Sequence, residues 1–281
     1  IAPQVKPRIW KYRMHPTKPY LWIGLPDSLD FEKIKIRPLS DIHYGEKGHL
    51  DKLFMAHVNW IARTDNVFCF LNGDLTANAL KDSPGTAIFQ QIRSPRDQMI
   101  ELTEILRPIA HKILWSLPGG HEFRSISRTD FDPSEWICRE LDIPHFSGPA
   151  NIDILWKGYN FIFYCKHGEK TPGTEGGKLN KAVAPLKIQE FVMFVICGHF
   201  HDPTTNKVHR MCRERTFDES GKLVSFKLIE KKQYVVICPS FFGYYGTYAA
   251  QRDFPPGSSG VIDCRLYANG DYHATRSDRK E

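Results

Sequence analysis

Apolar residues recur along this chain in two rhythms. Short continuous runs at 33–39, 67–71, 112–117, 160–165 and 191–197 predict buried strands. Between them, Leu50, Leu53, Phe54, His57 and Ile61 fall at helical spacing over 50–62. Met99, Ile100, Leu102, Ile105 and Leu106 repeat that spacing over 98–109. Pro133 followed by Ser134, Glu135 and Trp136 predicts a helix start, with the helix running to Leu141. Strand alternating with helix predicts an α/β (α+β layered) domain. Beyond residue 205 the rhythm changes to strand-like runs at 223–229, 234–238 and 260–266. Glu219-Ser220-Gly221-Lys222 predicts a hairpin turn within a solvated basic ribbon over 210–232. The chain shows no internal repeat and no low-complexity tract.

Composition adds that 281 residues with 41% apolar and 12% aromatic content supply a real core, which excludes a disordered chain. The net charge of +6 is unevenly spread. Lys6, Arg8, Lys11, Arg13 and Lys18 meet no acid within residues 1–26, so the remainder is near neutral. This divides the chain into a basic, aromatic N-terminal arm (1–32) and one domain (33–281). Trp10, Tyr12, Tyr20 and Trp22 between the cations suit nucleic acid, and equally an edge strand packed by its aromatics. No apolar run approaches the roughly 18 residues of a membrane span. The N-terminus lacks a secretory layout, and Cys69, Cys165, Cys197 and Cys238 sit in apolar runs as reduced interior thiols would. The expectation is a cytoplasmic protein without membrane contact.

The chemistry follows the strands. The five core runs are followed in turn by Asp41-Ile42-His43, Asn72-Gly73-Asp74, Gly119-Gly120-His121-Glu122, Lys166-His167-Gly168 and Gly198-His199-Phe200-His201. Open α/β sheets place ligands beyond the carboxyl ends of their strands. On extended backbone, Asp41 with His43 and His199 with His201 would each point to one side. Imidazoles plus carboxylates suit Mn, Fe, Zn or Ni rather than Ca, and Asp74 is placed to bridge two cations. Taken singly, D-x-H is a strand-end cap, G-D a turn and H-x-H a half-exposed strand. In order, each after a strand, they form a specific pattern.

That pattern, across residues 35–205, resembles the calcineurin-like metallophosphoesterases, whose motifs run D-x-H, G-D, G-N-H-D/E, H and G-H-x-H. The resemblance implies a β-sandwich flanked by helices and two divalent ions, Mn first, with Fe, Zn, Ni or Mg as alternatives. It implies one metal on Asp41, His43, Asp74 and His201, and a second on Asp74, His167 and His199. His121 would protonate the leaving oxygen or steady transition-state charge. Gly120 occupies the position of the family's ligand asparagine. Either divergence with a weak second site or a substitution that slows turnover accounts for it.

Leu75-Thr76-Ala77-Asn78 after Asp74 lacks the Asp and Arg of protein Ser/Thr phosphatases, and Ala77 replaces the tyrosine of purple acid phosphatases. The branches that fit are DNA-repair nucleases, phage-borne relatives and small-nucleotide phosphodiesterases. The expected activity is therefore a metal-dependent phosphodiesterase or nuclease acting on DNA or other nucleic acid, with an activated water as nucleophile. Small-nucleotide phosphodiester or phosphomonoester hydrolysis, and a catalytically weak scaffold, stand as alternatives. Phe241, Phe242, Tyr244, Tyr245, Tyr248 and Arg252 form an aromatic segment that would serve as substrate platform or as core. His57 reads as a core histidine; His15, His49, His111, His145, His209 and His273 read as surface residues.

Overall fold

The computed structural model describes residues 6–83, 87–169, 172–189, 191–243 and 260–277. Its strands in chain order are β1 (Lys11–Met14), β2 (Tyr20–Gly24), β3 (Lys33–Leu39), β4 (Val67–Asn72), β5 (Ile113–Leu117) and β6 (Ala150–Trp156). They continue as β7 (Tyr159–Lys166), β8 (Phe194–Cys197), β9 (Thr204–Phe217), β10 (Leu223–Ile237), β11 (Val261–Tyr267) and β12 (Tyr272–Ser277). They build a seven-stranded sheet, β1-β2-β6-β7-β8-β10-β9, and a five-stranded sheet, β12-β11-β3-β4-β5. Both sheets are mixed: β3-β4-β5 and β7-β8-β10 run parallel, and the hairpins antiparallel. The first two strands come from the basic N-terminal stretch. β1 forms the sheet edge, while Trp10, Leu21 and Ile23 are buried in the core.

The inner faces of the two sheets share one core. An aromatic ladder crosses it from Phe70 to Trp115 (4.3 Å), Phe163 (5.9 Å) and Phe194 (4.5 Å). Helices cover the outer faces. The helices are α1 (Asp51–Arg63), α2 (Ala87–Gln90), α3 (Pro95–Leu106), α4 (Glu122–Thr129), α5 (Pro133–Glu140) and α6 (Glu175–Val183). α1, α3 and α5 bury Phe54, Ile61, Leu102, Leu106 and Ile137 against the five-stranded sheet, and α6 lays Ala182 on the other. Layering of this kind lets each sheet bury both faces. Pro38 is tolerated in the interior strand β3 because β11 pairs with β3 only from Lys33 to Ile36, so no ladder hydrogen bond is lost there.

The runs at 223–229 and 234–238 belong to one long strand, β10, and the turn at 218–222 joins it to β9. α4, β6 and α6 escaped the sequence pattern because their apolar residues are few or mixed with polar ones. Four of the six histidines expected at the surface, His49, His111, His145 and His273, are half-buried. His145 Nε2 meets Asp132 at 2.9 Å with both side chains only 10% exposed, and half-buried His49 shares a 2.7 Å hydrogen bond with Ile42 O. All seven cysteines are unpaired, and all but Cys212 are buried. No helix among the described residues is long and apolar enough to cross a membrane.

His57 lies on the buried face of α1, its ring edge-on to Phe241 at 5.0 Å. Burial, with Arg37 adding to it, pushes its pKa down to about 4 from the ordinary 6.5. The folded state therefore favours neutral His57, and this stability is complete above pH 6.5 and drains away as pH falls towards 4. By pH 5 the loss is about 2 kcal/mol. Urea titrations at pH 7.5 and 5 should show that much less acid sensitivity in His57→Phe than in the parent; equal losses would refute the assignment.

Candidate metal centre

Five strand ends from both sheets meet at one place. Asp41 and His43 follow β3, Asp74 follows β4, His121 leads into α4 after β5, His167 follows β7, and His199 and His201 follow β8. Their ligand-capable atoms form three overlapping groups, each within 4.8 Å: Asp41, His43 and His201; His43, Asp74 and His121; Asp74, His167 and His199. The backbone at these residues is not extended, as the two-residue spacing had suggested. Asp41 (φ 52°), His43 (51°), Asp74 (50°), His199 (69°) and His201 (51°) all adopt left-handed conformations. Each strand ends in a tight reversal that turns the side chain back to the centre. Such conformations cost non-glycine residues about 1–3 kcal/mol each, and they gather where surrounding structure over-determines a site.

Close packing of the strand ends holds these turns. Gly73 (φ 80°) is pressed against Gly119, and a Cβ on Gly119 would lie 2.3 Å from Asp74 N and Oδ1. Buried Glu122 binds the junction. Its carboxylate accepts hydrogen bonds from Gly119 N (2.8 Å), Asp74 N (2.9 Å), Leu75 N (2.9 Å) and Thr76 N (3.4 Å). Ser40 Oγ donates to Asp41 Oδ2 at 2.5 Å, and His199 N donates to Asp41 Oδ1 at 3.0 Å. His121 N donates to Asp74 Oδ1 at 2.8 Å.

The donor set fits a cation. Asn72 O can only accept, so the 2.7 Å contact makes His167 Nδ1 the N–H donor. His167 Nε2 then faces Asp74 Oδ2 at 3.1 Å and Asp41 Oδ1 at 3.9 Å. His201 Nε2 likewise stands 3.0 Å from Asp41 Oδ1 and 3.2 Å from His43 Nε2. Lone pairs at these separations repel unless a proton or metal ion lies among them. Burial works against a charge on His167, but Asp74 and Asp41 outweigh it and push its pKa up to about 10. Burial likewise opposes charge on Asp74, yet the neighbouring His167 and His121 hold its carboxyl well below the ordinary range. The field that favours a proton at this spot favours a divalent cation there as well.

Gly120 is exposed, and a Cβ built on it would meet only Asp74 Oδ1, at 3.9 Å. A cleft of about 630 Å³ opens beside it, bordered by Phe123, Ser147, Lys166, His167 and Phe200. Tyr244, Tyr245, Tyr248 and Arg252 lie outside the described residues. Of the same segment, Phe241 is core, and Phe242 is buried with its ring 5.1 Å from His43.

Sequence reasoning missed three neighbours of the centre. The Arg124 guanidinium donates to His121 Nε2 at 2.9 Å. The Asn78 side chain donates to His121 O at 2.8 Å. Glu46, buried, lies 3.6 Å from His43 Nδ1, and burial pushes its pKa up to about 7. Arg124 was legible in principle, since three residues after His121 on a helix is one turn away. Asn78 and Glu46 carry no motif.

No family model matches the chain. Over 191 residues it is 24% identical to the DNA polymerase II small subunit of Thermoplasma acidophilum. The match covers 63% of this chain and 38% of that protein, so the chain spans well under half of its relative's length.

Proposed function

We propose that this protein is a two-metal phosphodiesterase acting on nucleic acid, its domain over 33–281 joined by the basic segment 1–32, whose β1 and β2 extend the larger sheet. The observation that carries this reading is the convergence of buried Asp and His atoms in overlapping groups that share His43 and Asp74. One ion would rest on Asp41, His43, Asp74 and His201, the other on Asp74, His167 and His199. Divalent ions held there would lower the pKa of water and neutralise phosphate oxygens. The DNA polymerase small subunit among its relatives supports a nucleic-acid substrate. The aromatic-walled cleft beside Gly120 suits a base or sugar next to the scissile phosphate.

His121 works in this scheme as a hydrogen-bond donor. Arg124 can only donate, so His121 Nε2 accepts and Nδ1 carries the proton. Burial and Arg124 outweigh Asp74 and keep its pKa down, at about 4. A neutral imidazole with a free Nδ1–H steadies charge on a phosphate oxygen, the second of the two roles expected for it. Arg124 fixes the tautomer and Asn78 anchors the backbone beside it.

The test is a manganese-supplemented panel of single-stranded DNA, duplex, RNA, cyclic nucleotide and monoester substrates, with His201→Ala as control. Diester cleavage that disappears in the control is expected; cleavage surviving it would sink the assigned centre. A catalytically weak scaffold is the second reading, and Gly120 is what favours it. Space for a side chain at 120 makes Gly120→Asn a direct discriminator. The substitution should tighten the second metal by roughly 10-fold or more and raise hydrolysis. Unchanged metal content and unchanged rate would mean that Gly120 does not stand at a ligand position.

A further inference from the structure

Among the described residues, six exposed large apolar side chains lie on the β9–β10 ribbon: Met211, Phe217, Leu223, Val224, Phe226 and Leu228. β8 pairs with β10 only over Tyr234–Ile237, and β9 is the outermost strand of its sheet. From Leu228 back to Leu223 on β10, and from Arg213 to Phe217 on β9, the two strands run on as an exposed ribbon. Because β10 is parallel to β8, and β8 ends at the metal centre, the ribbon leads away from that centre. At about 3.3 Å per residue, β10 extends roughly 45 Å.

Register sorts its side chains into two faces. One carries the pairs Phe217–Leu223, Arg215–Phe226, Arg213–Leu228 and Met211–Glu230; the other carries Thr216–Ser225, Glu214–Lys227 and Cys212–Ile229. On the first face Met211, Phe217, Leu223, Phe226 and Leu228 are 47–69% exposed. Arg213, Arg215, Phe217, Leu223 and Phe226 border a hollow of about 400 Å³. Neither arginine has a carboxylate partner among the described residues. The face's acid, Glu230, lies towards the base and is paired with His209.

An exposed apolar sheet face of this kind calls for a cover. A second copy packed by twofold symmetry would bury Arg213 and Arg215 against the same face of its partner, whose one acid is already paired with His209, at a desolvation cost. The occupant must bring negative charge and flat apolar faces together. We propose that this face binds single-stranded nucleic acid, with bases stacked on Phe217 and Phe226 and phosphates on Arg213 and Arg215. The hold is separate from the metal centre and shares with the hydrolytic reading only the class of polymer.

The test uses the full chain with divalent ions chelated and a labelled oligo(dT) long enough to cover the ribbon, read by fluorescence anisotropy. Phe217→Ala with Phe226→Ala should weaken binding at least about tenfold, and Phe226→Trp should keep it. Arg213→Ala with Arg215→Ala should weaken it and flatten the log–log salt slope by about 1.4, for two phosphate contacts. With manganese restored, turnover of a small nitrophenyl diester should be the same in all variants and the parent. That comparison separates failure of the ribbon from failure of the centre. Unchanged oligo(dT) affinity in either double variant overturns the proposal. So does preference for duplex, or a dimer that the phenylalanine substitutions dissolve, or a ribbon that takes an acidic protein and ignores oligo(dT).

Discussion

Asp74→Asn is expected to strip the centre of retained manganese and to lower diester hydrolysis by at least about 100-fold. Groups that merely orient a metal ligand cost about 10- to 100-fold when removed, and a ligand shared between two sites is no milder. The carboxylate is 2% exposed and reaches His167 Nε2 at 3.1 Å and His199 Nδ1 at 4.0 Å. An amide keeps the size and can still accept from His121 N at the Oδ1 position, so the fold should survive. It removes the negative charge and turns N–H groups towards the imidazole nitrogens. Elemental analysis after dialysis, with initial rates on a nitrophenyl diester, checks both halves. A variant that retains its metal and its rate would show that Asp74 is not the bridge.

Glu122→Ala should destabilise the protein by roughly 3–5 kcal/mol, since each buried backbone N–H left without its acceptor costs about 1–3 kcal/mol. Four buried backbone N–H groups lose their acceptor. For a protein of this size that is a fall in Tm of roughly 10 °C. Glu122→Gln, which keeps one acceptor oxygen, should lose about half as much. Because the same carboxylate ties Gly119 to the Asp74 turn, manganese retention should fall in step with Tm. Thermal melts with and without manganese decide it: a Glu122→Ala protein as stable as the parent would remove Glu122 from its structural role.

Much of the scaffold was legible in the sequence. The runs at 33–39, 67–71 and 112–117 became β3, β4 and β5 within a residue at each end, because strands buried on both faces read as continuous apolar stretches. α1 and α5 were equally plain, with strong periodicity and, for α5, a Pro at its first position. β9 was not, since a ribbon bathed in solvent has no face that must be apolar. Its phenylalanines and arginines looked like an ordinary solvated hairpin until the register put them on one side.

The sequence by itself determined which residues stand at each strand end and in what order, because local chemistry and the length of an apolar run are both written along the chain. It did not determine how those ends meet. Asp41 and His201 lie 160 residues apart, and only the sheet order brings their atoms to 3.0 Å. The left-handed turns at Asp41, His43, Asp74, His199 and His201 run against the preference of every one of those residues. Contacts from distant segments impose them: Glu122 on the Asp74 turn, and the Asp41 carboxylate on His199 N. Tertiary structure decided the centre because the free energy that holds five strained turns comes from partners far away in the chain.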